Sequence, residues 1–264
     1  MATRTEYQHG EFSWVNLGTT DPASAKRFYG GLFGWQFNDM PAGPGMTYTF
    51  CELRRQSVGG LYALPEELRS CGVPSHWIPF INVRNADEIA KRALQNGGKV
   101  VHGPTDVLDV GRSAQIVDPT GANVAIWEPK RHAGAALISE AGAMCWNELM
   151  TPDIETAGRF YRTVFDWTSD LVDTSEDSSY TIFKAGTTMI AGMMARPARL
   201  REVPPNWLTH FGVTDCDATA TKATQLGGTV LQPPTDIPGI GRFAVCRDSQ
   251  GAVFAVAFFK PPTS

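Results

Sequence analysis

The stretch "WVNLGTTD", Trp14 to Asp21, returns 132 residues later as "WNELMTPD", Trp146 to Asp153. Each copy runs into an aromatic segment, "PASAKRFYGGLFGW" after the first and "IETAGRFYRTVFDW" after the second. The same offset relates "RFY" at Arg27 to "RFY" at Arg159, and Tyr48 to Tyr180. Further on the offset becomes 130: Trp77 matches Trp207, Gly97-Gly98 matches Gly227-Gly228, and "PTD" at Pro104 matches "PTD" at Pro234. Arg112 with Arg242 and Asp118 with Asp248 keep that spacing. One two-residue gap therefore aligns the chain onto itself, the signature of an internal duplication. The joint is "PKRHAGAALISEAGA", Pro129 to Ala143, small and turn-forming. This division predicts domains over 10–130 and 141–262 with a linker at 131–140.

Each copy reads as β-α-β-β-β followed by β-α-β-β-β. Phe12 to Gly18 is aromatic, β-branched and alternating, as a half-buried strand requires. Asp21 followed by Pro22 is a helix cap with proline at the first helical position. Ala25, Phe28, Leu32 and Phe33 then share one helical face. The second unit opens on "WIPFINV", Trp77 to Val83, and its helix stops at Gly97-Gly98, where glycine permits a left-handed cap. The hairpin turns "DPTG" and "DSQG" suit the backbone angles of tight turns and read as structural, and "GLYALPEEL" reads as turn and strand material.

Composition bounds the function classes. The chain has 264 residues, 42% of them hydrophobic and 19% charged, enough to bury full cores. The net charge is −4 and the lysines and arginines are scattered, which argues against nucleic acid or an anionic membrane as partner. Five cysteines form no C-x-x-C pair and read as reduced, buried thiols. No apolar run approaches membrane-spanning length, and "MATRTEYQHGEF" carries no signal-peptide core, so a cytoplasmic protein is expected.

The strand, then "D-P-x-S-A-x-x-F-Y-x-x-L-F-G-W", then a late "D-P-x-G" hairpin resembles the vicinal oxygen chelate superfamily of glyoxalase I, bleomycin-resistance proteins and extradiol dioxygenases. The resemblance covers both halves and is greatest to tandem glyoxalase-like proteins of actinobacteria. It implies an α+β fold in which paired βαβββ modules curl into a half-barrel sheet around a cavity. It also implies where metal-binding members place His, Gln or Glu ligands, namely the first and fourth strands of each module. Here those positions are Trp14, Gly60, Ile78 and Ala125 in the first copy, and Trp146, Gly192, Leu208 and Ala255 in the second. None of the eight side chains offers a donor. No metal and no other cofactor is expected.

Because strand residues two apart share a face, Trp14 inward brings Asn16 inward, and Trp146 brings Glu148. The same alternation adds Phe80 in one copy and His210 in the other, and Trp127 opposite Ala257. Such a lining suits a flat, largely apolar small molecule held by stacking. Glu148 is the expected acid–base group, with a pKa raised by apolar surroundings; the open alternatives pair it with an arginine such as Arg242 or have it cap a loop. His210 is the expected helper at a carbonyl, and its alternative is a satisfied core histidine. Trp14, Asn16, Phe80, Trp146, Tyr48 and Tyr180 are expected to touch the ligand; Arg112 and Arg242 either clamp an anionic group on it or are solvated or structural arginines. The expected function is metal-independent chemistry on, or binding of, an aromatic or polyketide-like metabolite, of isomerase, cyclase or lyase type. The rivals are a protein that sequesters an antibiotic and an ordinary metal-dependent glyoxalase or dioxygenase. The expected partner is a small-molecule ligand or substrate, with the chain a monomer or homodimer.

Overall fold

The computed structural model describes residues 3–174 and 178–260. The first repeat comprises β1 (Phe12–Thr19), α1 (Pro22–Phe33), β2 (Gln36–Pro41), β3 (Thr47–Leu53), β4 (Gln56–Ala63), α2 (Glu66–Ser70), β5 (His76–Asn82), α3 (Ala86–Gln95), β6 (Lys99–Val107), β7 (Gly111–Val117) and β8 (Asn123–Pro129). The second comprises β9 (Met144–Thr151), α4 (Ile154–Phe165), β10 (Thr168–Thr174), β11 (Ser178–Ala185), β12 (Thr188–Ala195), β13 (Asn206–Gly212), α5 (Cys216–Gln225), β14 (Thr229–Ile237), β15 (Gly241–Arg247) and β16 (Val253–Phe259). The expected βαβββ order thus occurs four times, two modules to each repeat. Residues 261 and 262, the expected end of the second domain, lie outside the described residues. One local reading is corrected: "PEEL" opens the short helix α2, because Pro65 starts the turn and Glu66 and Glu67 favour its N-terminus.

Each repeat forms one eight-stranded sheet, ordered β2-β3-β4-β1-β5-β8-β7-β6 and β10-β11-β12-β9-β13-β16-β15-β14. The two modules of a repeat meet at the antiparallel β1–β5 and β9–β13 pairs. The helices begin where their caps dictate. Asp21 accepts from the Ser24 amide at 3.1 Å and Asp153 from that of Thr156 at 2.9 Å. Their apolar faces, with Phe28, Tyr29, Phe160 and Tyr161 almost fully buried, join one core that also takes Val15, Leu17 and Leu149 from the sheets. One face of each sheet is thereby covered by the helices, and the other carries Trp14 and Asn16 in the first repeat and Trp146 and Glu148 in the second.

The helices also lock the repeats together through a duplicated, crossed contact. Tyr29 donates to Asp248 Oδ2 at 3.0 Å and accepts from the Trp77 indole at 2.9 Å. Tyr161 donates to Asp118 Oδ2 at 3.0 Å and accepts from Trp207 at 2.8 Å. Each aspartate meanwhile uses Oδ1 to accept backbone amides of its own hairpin turn, Thr120, Gly121 and Ala122 in one repeat and Gln250 and Ala252 in the other. The "RFY" tyrosine of one repeat is thus fitted to the hairpin aspartate of the other. Tyr29→Phe strands a buried indole N–H and a carboxylate oxygen together, so it is expected to cost about 2 kcal/mol in urea unfolding. Tyr161→Phe should cost the same, and an effect within experimental error for either would show that the crossed contact contributes nothing.

Candidate functional site

The free face of the second sheet carries two rows of side chains set by strand register. Glu148 lies between Gly192 of β12 and Leu208 of β13, and Trp146 lies beside His210, itself paired with Ala255. In the first sheet the corresponding rows are Asn16, Gly60 and Ile78, then Trp14, Phe80 and Ala125. Bulges at Ser13 and Cys145 re-aim the two tryptophans, since Trp14 and Trp146 pair across the sheet while those residues do not.

A third group completes each row. The Tyr180 hydroxyl accepts from the Trp146 indole N–H at 3.0 Å and donates to Glu148 Oε2 at 2.8 Å. In the first repeat Trp14 Nε1 lies 2.8 Å from Asn16 Oδ1 and 2.9 Å from the Tyr48 hydroxyl, which donates to Asn16 Oδ1 at 2.7 Å. These hydroxyls occupy the space over the glycines: a Cβ at Gly60 would stand 1.9 Å from the Tyr48 oxygen, and one at Gly192 1.7 Å from that of Tyr180. The family's fourth-strand ligand position is therefore filled by a tyrosine from the neighbouring strand. With tryptophan on the first strand and alanine at Ala125 and Ala255, this donor set does not fit the divalent ion of metal-binding relatives. Among the described residues no group of three or more His, Cys, Asp or Glu side chains is placed to hold one.

The two copies differ in titratable groups at two positions, Asn16 against Glu148 and Phe80 against His210. Asn16 is neutral, whereas Glu148, half-buried, has its pKa raised by burial, an effect that the Tyr180 hydrogen bond partly offsets. His210 is 4% exposed, neither ring nitrogen has a partner, and burial lowers its pKa to about 4, so the imidazole is neutral. Its nearest ring is Phe243, with centroids 6.3 Å apart. A half-open hollow of about 120 Å³ reaches Trp146 from the side of Arg4, Ile138 and Met189.

The structure brings Trp146, Glu148, Tyr180 and His210 together on one face, and Trp14, Asn16, Tyr48 and Phe80 on the other repeat's equivalent. It does not bring Arg112 or Arg242 to either. Both lie on the helix side of their strands, in line with buried Ala114 and Ala244. Arg112 is held by Asp87 at 2.8 Å and Asp106 at 3.2 Å, and Arg242 by Asp217 at 2.7 Å and Asp236 at 2.9 Å. The ligand-clamp reading is corrected accordingly: each arginine ties its strand to a helix, and Glu148 pairs with Tyr180 rather than with Arg242.

Two residues beyond the sequence reading, His132 and Phe50, enter the first site. His132, in the joint between repeats, stands perpendicular to Trp14 with centroids 4.7 Å apart and also meets Phe50 and Trp127. Trp127 fixes the segment by donating to the His132 carbonyl at 2.8 Å. Phe50 could have been found, because it lies two residues from Tyr48 on one strand; His132 had no periodic signal.

With this geometry in view, the comparisons with known proteins are decisive for family. The model of the Glyoxalase/Bleomycin resistance protein/Dioxygenase superfamily matches residues 11–126 and again 143–256. The chain belongs to this superfamily. Within it, the protein named "Putative glyoxylase CFP32" of Mycobacterium tuberculosis is 40% identical over 257 residues, 97% of each chain. The "Anthracycline biosynthesis protein DauV" of Streptomyces sp. is 34% identical over 263 residues, 96% of this chain and 94% of that one. Among superfamily structures, a Mn(II)-bound glyoxalase from Novosphingobium aromaticivorans superposes with a TM-score of 0.66 over 95% of this chain and 82% of that one, at 14% identity. A trihydroxybiphenyl dioxygenase from Sphingomonas wittichii gives 0.65 over 95% and 91%, at 13% identity. These two share the fold.

Proposed function

We propose that the second repeat is the working site of a metal-independent protein that performs acid–base chemistry on a small, flat, polyketide-like metabolite. The observation that carries this reading is Glu148: a half-buried carboxyl with a raised pKa, oriented by the Tyr180 hydroxyl that fills the space over Gly192. The similarity to an anthracycline biosynthesis protein supports the substrate class.

The chemistry follows from the side chains alone. Trp146 supplies a stacking surface next to the carboxyl. Tyr180 engages Oε2, so Oε1 is the oxygen that takes a proton from a carbon beside a ligand carbonyl. The electron pair left behind moves onto the carbonyl oxygen, where the neutral His210 imidazole donates a hydrogen bond to the enolate. Return of the same proton from Glu148 to another carbon on the same face completes an isomerisation with no other reactant. A carboxyl tuned upward by its surroundings is suited to both halves of this cycle. In the first repeat Asn16 stands where Glu148 would be needed, so that site has no base.

Native mass spectrometry of freshly purified protein tests the substrate class through any co-purified molecule. Turnover of that molecule by Glu148→Gln at the wild-type rate would remove the acid–base assignment. Stoichiometric protection of a sensitive cell without product formation would favour sequestration instead.

A further inference from the structure

The two repeats offer an internal comparison that defines what the second site accepts. In the first, the face of Trp14 is not free. His132 is packed against it, clamped by Phe50 and Trp127, and Trp14 is only 4% exposed. The His132 Nε2 is buried there without a partner, and the ring is held by its aromatic neighbours. The segment is anchored at several points. The His132 amide donates to the Val110 carbonyl at 3.0 Å, and the Ala135 and Ala136 amides donate to Ser13 and Ser57 at 2.7 and 2.8 Å.

In the second repeat the residues that make this clamp are exchanged. Ile182 stands for Phe50 and Ala257 for Trp127, and outside the clamp His210 replaces Phe80. Only Phe243, which stands for Ser113, adds a ring. Among the described residues no aromatic ring packs on Trp146, and its side chain is half-buried where Trp14 is closed. Position 262, which corresponds to His132, is proline and lies outside the described residues. Two polar groups border the opened place: Glu148, diagonal to His210 across the β9–β13 pair, and His210 itself, buried with both nitrogens unsatisfied. A buried imidazole without partners costs free energy until something supplies them.

We infer that the first site is filled permanently by the protein's own His132, and that the second holds one neutral, hydroxylated planar ring of a ligand against Trp146. The ring lies where His132 lies in the first repeat, and its hydroxyl or carbonyl oxygen bonds to His210. Each chain then takes one such molecule, not two. This deepens the function proposed above and rests on it only in placing the site in the second repeat. Neutrality follows from the lining: an anionic ring would bring its charge beside Glu148 and aliphatic walls.

The test follows the indole N–H signals of Trp14 and Trp146 in the full chain by NMR, each assigned by loss of its signal in Trp14→Phe or Trp146→Phe. Naphthol is the probe for the second site and methylimidazole, the missing side chain, the probe for an opened first site. In wild type, naphthol should shift Trp146 saturably and leave Trp14 unmoved, and naphthoate should bind about tenfold more weakly or worse. In His132→Gly, methylimidazole should shift Trp14, a response absent from wild type and from His132→Phe, which keeps the place filled. Trp14 responding to naphthol in wild type, or failing to respond to methylimidazole in His132→Gly, overturns the filled-site assignment, as does a Trp146 that ignores naphthol. The acid–base reading fails separately, through unchanged turnover in Glu148→Gln while the Trp146 response is intact.

Discussion

Glu148→Gln is expected to reduce turnover about 10²- to 10⁴-fold, the usual contribution of a positioned acid–base group, and to make the folded protein more stable at neutral pH. The two effects have one cause. Burial raises the folded-state pKa of Glu148 above its unfolded value. Between those two values the folded chain holds the proton more tightly, so stability falls as pH rises through the window. Below the unfolded value, near about pH 4, both states are protonated and the effect vanishes. Glutamine keeps the acceptor for Tyr180 and cannot ionise. Thermal unfolding of mutant and wild type across pH should therefore give curves that meet in acid and diverge in favour of the mutant as pH rises. A mutant that is less stable at neutral pH would show that Glu148 is a stabilising ion, not a strained one.

Gly192→Ala should be the most disruptive single change on the site. The new Cβ would stand 1.7 Å from the Tyr180 oxygen and 2.3 Å from its Cζ, so the whole ring must leave. Overpacking of this kind costs about 1–3 kcal/mol, and the Trp146 N–H loses its acceptor in addition. A total near 3 kcal/mol is expected in urea unfolding, together with loss of the Glu148 orientation. The cost should be strongly non-additive with Tyr180→Ala, because the double mutant has no ring to displace. Additive energies would mean that Gly192 is required for its backbone alone. Gly60 and Tyr48 should behave alike in the first repeat, where the Asn16 oxygen lies 2.5 Å from the same hypothetical Cβ.

The fold was legible because the duplication repeats its caps, turns and aromatic positions. Asp21 and Asp153, Trp77 and Trp207, and Asp118 and Asp248 occupy equivalent places in the structure. Strand alternation put Trp14, Asn16, Trp146, Glu148, Phe80 and His210 on the free faces. Alternation misled only where it was not applied. Arg112 and Arg242 share the faces of Ala114 and Ala244, and that parity alone points them to the helices. What one sequence does not encode locally is contact between distant segments. Tyr29 meets Asp248 across 219 residues, and Tyr180 fills the space over Gly192 because a neighbouring strand delivers it. His132 belongs to the same class, since a loop reaches a sheet face through its anchors and not through a period.

Elemental analysis of protein purified without chelator tests the central claim most directly, that both sites have exchanged metal coordination for a Trp–Tyr cluster with Asn or Glu. The geometry predicts no transition metal at stoichiometric level, and unchanged ligand binding after chelator treatment. One tightly held transition-metal ion per repeat, lost together with ligand binding on chelation, would contradict it.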